Sequence, residues 1–128
     1  MNAMATDAIW QAVDNAVLVL HFLGLAALIG GWLVALRVRP RAVNAAMWHG
    51  VLTQLVTGII LVGLAETVVE DGPVDHAKVA VKLLLTIVVA VLVYLGRRQG
   101  RAGRAVPAAS YLLIGLLSIL NVILAVFW

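Results

Sequence analysis

The stretch from Ala16 to Leu36 limits most strongly what this chain can fold into. Its 21 residues contain no Asp, Glu, Lys or Arg, and they include one histidine, His21. As an α-helix rising about 1.5 Å per residue, the stretch covers the roughly 30 Å hydrocarbon core of a bilayer. The sequence therefore predicts a membrane-spanning helix with an imidazole inside it. Because a polar side chain at that depth is costly, His21 is a candidate functional residue.

Three more apolar stretches follow the first, separated by short polar connections. The chain is 64% hydrophobic and 12% charged, whereas soluble domains are about 25% charged. Short connections place successive helices antiparallel, so we predict an all-α fold, an integral membrane four-helix bundle that forms one domain over residues 1–128. Thr6 or Asp7 is expected to cap the first helix, and Pro40 and Pro107 to lie near the starts of the second and fourth. The predicted helices cover about residues 8–36, 41–66, 76–97 and 105–127.

Charged residues are sorted between the connections. Seven of the nine basic residues lie in the first and third connections, and four of the six acidic residues lie in the second (Arg37, Arg39, Arg41, Arg97, Arg98, Arg101 and Arg104; Glu66, Glu70, Asp71 and Asp75). Short connections rich in Lys and Arg face the cytoplasm, so we predict cytoplasmic arginine connections and place both termini outside, in a multi-pass protein of the plasma membrane. The expected partner of the basic residues is the lipid bilayer and not nucleic acid.

Polar residues within the apolar stretches are predicted to meet in one part of the bundle. Counting from the middle of each stretch at about 1.5 Å per residue places His21, Lys82 and Asn121 about 7–9 Å to the outer side of the midplane. Gln54 lies within about 3 Å of the middle, and His49 lies about 9 Å to the inner side. His21 and His49 are thus too far apart to hold one iron between them. All four helices contribute to a predicted polar cavity that opens toward the outside.

Each of these side chains also has a structural interpretation. His21 is either hydrogen-bonded to a neighbouring helix or serves as a ligand or proton relay. Lys82 either extends toward the interface or has a partner in the bundle. Gln54 and Asn121 serve as interhelical hydrogen-bonding groups or as ligands. His49, next to Trp48, is typical of the membrane interface.

The sequence resembles a group of four-helix membrane domains over about residues 17–98. This group includes the copper-resistance protein D domain and the membrane-bound bacterial protoporphyrinogen oxidase. Its members share a Leu-His pair before a pair of small residues, a later Thr-Gly, and a Lys-Leu that opens a helix ending in basic residues. Here these features are Leu20-His21 before Gly30-Gly31, Thr57-Gly58, and Lys82-Leu83 through Arg97-Arg98.

The resemblance implies a b-type haem. In the oxidase-like members, the first-helix histidine and the later lysine are associated with haem b and activity, which points to His21 and Lys82 here. The chain departs from the pattern at Ile29, where an aromatic residue is expected, and at Tyr94-Leu-Gly-Arg97, where a Tyr-His ending is expected. These departures leave open whether the chain is an enzyme.

The first functional hypothesis is a membrane haem b protein in electron transfer, haem handling or tetrapyrrole oxidation. His21 would be an axial ligand, Lys82 a propionate partner or second ligand, and Gln54 and Asn121 hydrogen-bond donors around the cofactor. The iron would be five-coordinate, or its second ligand would be Lys82 or a histidine of a second copy or partner subunit, and His49 is the alternative metal ligand within the chain. The chain has no cysteine, which excludes disulfides, thiolate metal sites and covalent haem attachment.

Two other classes of function stay open. One is a copper or small-solute permease, although the chain lacks cysteine and has no methionine at mid-membrane. The other is an accessory membrane subunit without a cofactor, which would use its stripes of small residues to hold a partner.

Overall fold

The computed structural model describes residues 2–67 and 75–128, which form four α-helices. They are α1 (Ala3–Val34), α2 (Ala45–Thr67), α3 (His76–Arg101) and α4 (Ala108–Phe127). Each is long and apolar enough to cross a membrane. No strand occurs in the described part of the chain. The prediction of an all-α multi-pass membrane protein is therefore confirmed.

Contacts between helix ends show that neighbouring helices are antiparallel. Trp32, near the end of α1, bonds to Tyr111, near the start of α4, and Lys78, near the start of α3, bonds to the carbonyl of Trp128. The connections 35–44 and 102–107 therefore lie together, joined by a 2.8 Å hydrogen bond from the Val106 amide to the Arg41 carbonyl. We call this end of the bundle the arginine end and the opposite end, which carries both chain termini, the terminal end.

The first helix begins about five residues earlier than predicted. The cap is Asn2, whose side-chain Oδ1 accepts a 2.8 Å bond from the Ala5 amide, and not Thr6 or Asp7. Thr6 donates its hydroxyl proton to the Asn2 carbonyl instead. An asparagine side chain at this position satisfies an amide that has no partner within the helix. With 32 residues, α1 is about 48 Å long and exceeds the thickness of a hydrocarbon core.

The second helix begins later than predicted, and Pro40 lies outside it. Asn44 is the cap: its Oδ1 accepts a 3.0 Å bond from the Met47 amide, and its Nδ2 donates at 3.0 Å to the Gly31 carbonyl. One asparagine thus starts α2 and ties it to the end of α1. Met47, two residues into the helix from Ala45, is fully buried.

The other boundaries also shift. The third helix continues through the basic residues to Arg101, beyond the predicted end near residue 97, because Arg and Gln favour helix. The fourth begins at Ala108 with Pro107 at its N-cap position. The predicted acidic connection lies mostly outside the described residues, and at its edges His76 Nε2 pairs with Glu66 Oε1 at 2.9 Å.

The two halves of the bundle are packed differently. Every fully buried hydrophobic side chain of the described residues lies at mid-bundle or toward the arginine end (Leu28, Trp32, Met47, Val51, Val89, Val93, Val106, Tyr111 and Ile114). Large apolar side chains such as Phe22, Leu84 and Leu116 are exposed along the middle of the helices. Helices that are apolar on their outer faces are typical of membrane spans. The half toward the terminal end is left with a polar, less filled interior.

Trp32 and Tyr111 close the arginine end through two reciprocal hydrogen bonds, which we call the aromatic latch. The Trp32 Nε1–H donates to the Tyr111 carbonyl at 2.8 Å, and the Tyr111 hydroxyl donates to the Trp32 carbonyl at 2.7 Å. The two rings are stacked with centroids 6.2 Å apart. Gly115 makes room for this contact, because a Cβ there would overlap the Trp32 indole.

Glycines also bring α1 and α2 close together. A Cβ added at Gly50 would lie 2.7 Å from the Gly24 carbonyl oxygen and 2.9 Å from the Leu28 Cα. Of the pair Gly30-Gly31, only Gly31 is in close contact. A Cβ there would lie 2.8 Å from the Asn44 Oδ1, whereas no described atom lies within 4 Å of a Cβ at Gly30.

Candidate functional site

A cavity of about 130 Å³ lies in the half of the bundle toward the terminal end. All four helices line it, and it is partly open to the surroundings. Its polar lining residues are His21, Gln54, Lys82 and Asn121, which the depth count brought together, and Thr86, one turn from Lys82. The remaining lining residues are apolar (Gly58, Leu61, Val62, Val79 and Leu83). The predicted convergence of polar side chains from four helices is therefore confirmed.

The imidazole of His21 is held by hydrogen bonds to α2. Its Nδ1 lies 2.7 Å from the Thr57 Oγ1, and the Thr57 hydroxyl donates its proton to the Thr53 carbonyl. With its proton directed to that carbonyl, the hydroxyl accepts from the ring, and we assign the ring proton to Nδ1 on this basis. The Gln54 amide donates to the His21 carbonyl and fixes the backbone at the same point.

This arrangement determines which ring nitrogen is available. With the proton on Nδ1, a neutral imidazole carries its lone pair on Nε2. Nε2 has no hydrogen-bond partner among residues 2–67 and 75–128, and His21 lines the cavity. A histidine that donates one ring N–H to a neighbour and leaves the other nitrogen unpaired is typical of metal ligands and of proton acceptors.

Lys82 places an amine at the same cavity. It is half-buried, and its carbonyl accepts a 2.9 Å bond from the Thr86 hydroxyl. Its Nζ has no ion-pair partner within the described ranges, where His76–Glu66 is the ion pair found. An amine inside a membrane bundle without an acidic partner is a candidate for ligand contact.

Asn121 has one satisfied and one unsatisfied side-chain atom. Its Nδ2 donates to the Thr86 Oγ1 at 3.0 Å, but its Oδ1 is buried and has no hydrogen-bond partner among residues 2–67 and 75–128. A second void of about 10 Å³ lies beside the residue, lined also by Gln54 and Ser118. That void is about the size of one water molecule. Asn121 thus lies between the two spaces and carries an acceptor that the described residues leave unsatisfied.

The alternative ligand His49 does not reach this cavity. It is exposed on α2, and its neighbour Trp48 packs against Tyr94, with the Arg97 guanidinium 4.7 Å above the indole ring. No group of three or more His, Asp or Glu side chains within residues 2–67 and 75–128 is arranged to hold a metal ion. Of the histidines considered as iron ligands, His21 is the one that lines the cavity.

A b-type haem fits the atoms of this site but not its enclosed volume. His21 Nε2 is suited to an axial position and Lys82 to a propionate. Pockets that enclose drug-sized ligands have volumes of about 300–1,000 Å³, and a four-ring macrocycle is at least of that size. The cavity of about 130 Å³ therefore encloses only one edge of such a group.

Two features of the structure were not predicted from the sequence, one at the site and one at the opposite end of the bundle. Thr57 was recognised as part of the Thr-Gly motif, but not as the partner of His21. The aromatic latch was missed altogether, because its residues are 79 positions apart. No protein-family model, curated protein or solved structure matches the chain. The resemblance described above therefore stays a prediction.

Proposed function

We propose that this chain is a small membrane protein that binds a redox-active ligand of the membrane, with His21 Nε2 as the contacting atom. The observation that carries the proposal is the 2.7 Å hydrogen bond between His21 Nδ1 and Thr57 Oγ1, in which we assign the proton to Nδ1 because the Thr57 hydroxyl donates to the Thr53 carbonyl. It fixes the orientation of the ring and leaves a lone pair at a cavity inside a membrane bundle. Such a fixed tautomer is typical of histidines that hold a metal or accept a proton.

Haem b is the ligand favoured by an imidazole nitrogen and an amine at the same cavity. His21 would supply the axial nitrogen, Lys82 would pair with a propionate, and Gln54 and Asn121 would contact the macrocycle edge. The group would supply one-electron redox chemistry when bound. The small enclosed volume stands against this ligand, and we derive no catalytic step through it.

The orientation and membrane are part of the same proposal. Seven arginines belong to the arginine end, and the acidic residues that the structure describes (Asp7, Asp14, Glu66 and Asp75) belong to the terminal half. By the positive-inside rule, the arginine end is cytoplasmic, the membrane is the plasma membrane, and the cavity lies on the outer side.

The two alternatives have less support. A copper or solute permease needs a route through the bundle, and the half toward the arginine end is filled by packed side chains. An accessory subunit without a cofactor is favoured by the close helix contacts at Gly24 and Gly50, but these contacts lie between helices of the same chain. Neither alternative accounts for an unpaired imidazole nitrogen at a cavity.

The first experiment is an absorption titration of the purified protein with hemin, in air and after reduction with dithionite. If haem is the ligand, a Soret band that sharpens on reduction develops in the wild type and in His49→Ala, and is lost in His21→Ala. Thr57→Val should weaken binding by about 10–100-fold, the usual effect of removing the group that orients a metal-ligating histidine.

The controls separate the outcomes. His49→Ala removes an exposed histidine of the same bundle, so an equal loss in both variants would mean non-specific hemin binding. A band that survives His21→Ala would move the ligand to another residue. No band in any variant would exclude haem and leave the cavity to a smaller ligand.

A further inference from the structure

From the size of the cavity and the atoms that line it, we infer that it binds the single aromatic ring of a hydroquinone that carries an apolar tail, the chemistry of a membrane quinol. The inference rests on the proposed function in one respect, since it assumes that the cavity at His21 is the ligand site. It names a class of ligand that fits the volume of the cavity and can hydrogen-bond to the polar residues of its lining. It concerns binding and requires no electron acceptor.

The volume selects a ligand with one ring. The cavity measures about 130 Å³, and an apolar protein cavity of about 150 Å³ is known to take up benzene. A macrocycle would need several times that space. One six-membered ring therefore fills the enclosed space, and any larger part of the ligand must extend through the open side.

The polar atoms select a ring that donates hydrogen bonds. Two of the lining residues carry an acceptor that has no partner in the described part of the chain: His21 at Nε2, and Asn121 at Oδ1, which is itself buried and meets a donor in the cavity once its side chain moves. A hydroquinone carries a hydroxyl group at each end of its ring, so it can donate to both acceptors. A carboxylate or a carbonyl compound only accepts and would leave the buried Asn121 Oδ1 unsatisfied.

The other lining groups suit the rest of such a ligand. The Lys82 amine can donate to a hydroxyl oxygen of the ring. The apolar residues Leu61, Val62, Val79 and Leu83 complete the lining and suit an alkyl or isoprenoid tail. Because the bundle is a membrane protein, such a tail would connect the ring to the surrounding lipid.

The test is a calorimetric titration of the protein in lipid nanodiscs, without oxygen, with a decyl-substituted benzoquinol. The matched ligand is decylbenzene, which has the same tail and ring but no hydroxyl groups. We expect the quinol to bind at least about tenfold more tightly than decylbenzene, because two hydrogen bonds to buried acceptors are lost in the latter. Equal binding of the two ligands would overturn the inference, since it would reflect partition into lipid.

Three variants locate the binding. Asn121→Leu keeps the side-chain size but removes the acceptor, and should weaken quinol binding about tenfold. Gly58→Leu should abolish binding, because the leucine side chain fills the cavity. The substitution itself is tolerated, since a Cβ at Gly58 meets only the His21 Cε1, at 3.6 Å. Gly63→Leu is the matched control on the same helix, where nothing lies within 4 Å of a Cβ, and it should bind as the wild type does.

The outcomes distinguish this inference from the proposed function. If hemin binds in a His21-dependent manner and the quinol does not, the ring-sized ligand is excluded while the site at His21 stands. If the quinol binds but Asn121→Leu or Gly58→Leu has no effect, the quinol lies elsewhere and the inference is wrong. If His21→Ala changes the binding of neither hemin nor quinol, the proposed function also fails. Circular dichroism and melting of each variant verify that the bundle is folded.

Discussion

The α1 and α2 backbones approach closely at Gly50, and we expect Gly50→Ala to separate the two helices. A Cβ at this position would lie 2.5 Å from the Leu28 amide nitrogen, whereas ordinary van der Waals contact begins at 3.4 Å. The backbone must therefore move by the difference, about 0.9 Å. The obstructing atoms belong to a helix backbone, so no side-chain rotation can relieve the overlap.

The magnitude follows from two opposing effects. Overpacking of a well-packed interior typically costs about 1–3 kcal/mol, and a backbone obstacle belongs at the upper end of that range. Replacing glycine by alanine within a helix stabilises the helix by about 1 kcal/mol, because alanine has the higher helix propensity. We therefore expect Gly50→Ala to lower the free energy of unfolding by about 2 kcal/mol. The same change at Gly30, where nothing lies within 4 Å of a Cβ, should leave stability unchanged or raise it.

The assay is reversible unfolding in mixed micelles of a mild detergent and dodecyl sulfate, followed by circular dichroism. Gly30→Ala is the control for the alanine itself, since it is a helix glycine with free space around it. Equal unfolding free energies for Gly50→Ala and Gly30→Ala would refute the close crossing of α1 and α2. A second readout is the hemin or quinol titration, because the 2.7 Å contact between His21 and Thr57 spans the same pair of helices.

Two further substitutions test the ends of the helices by the same unfolding assay. Tyr111→Phe removes the hydroxyl that bonds to the buried Trp32 carbonyl and should lower the free energy of unfolding by about 1–2 kcal/mol. Tyr94→Phe, at an exposed tyrosine, is the control and should change it little. Equal effects of the two substitutions would contradict the aromatic latch. Asn44→Ala removes the cap of the second helix and should cost about 1–2 kcal/mol, while Asn15→Ala, at an exposed position, should stay within about 0.5 kcal/mol of the wild type.

Much of the fold could be predicted because hydropathy is a local property. The run around His21 and the three later runs each have the length that a bilayer requires, so the four helices and their antiparallel order follow from the sequence. The positions of the helix ends were harder to predict. Asn2 and Asn44 lie outside the apolar runs, and their capping role depends on a side-chain hydrogen bond that a count of apolar residues does not include.

The candidate site was predictable in position but not in chemistry. Antiparallel helices bring residues of equal depth together, so counting from the middle of each run was enough to group His21, Lys82 and Asn121 around one cavity. The state of the His21 ring depends on where the Thr57 hydroxyl sends its proton, and the orphaned Oδ1 of Asn121 depends on a distance. Both are properties of the three-dimensional arrangement.

The aromatic latch has a mechanical consequence for the cavity at the other end. Trp32 lies 11 residues from His21, a separation of about 16 Å along the first helix. A tilt of α1 relative to α4 by about 5° about the latch would displace the His21 imidazole by about 1.4 Å over that distance. The width of the cavity, and with it the size of ligand that it admits, therefore depends on the angle between α1 and α4 as well as on the filling of the core.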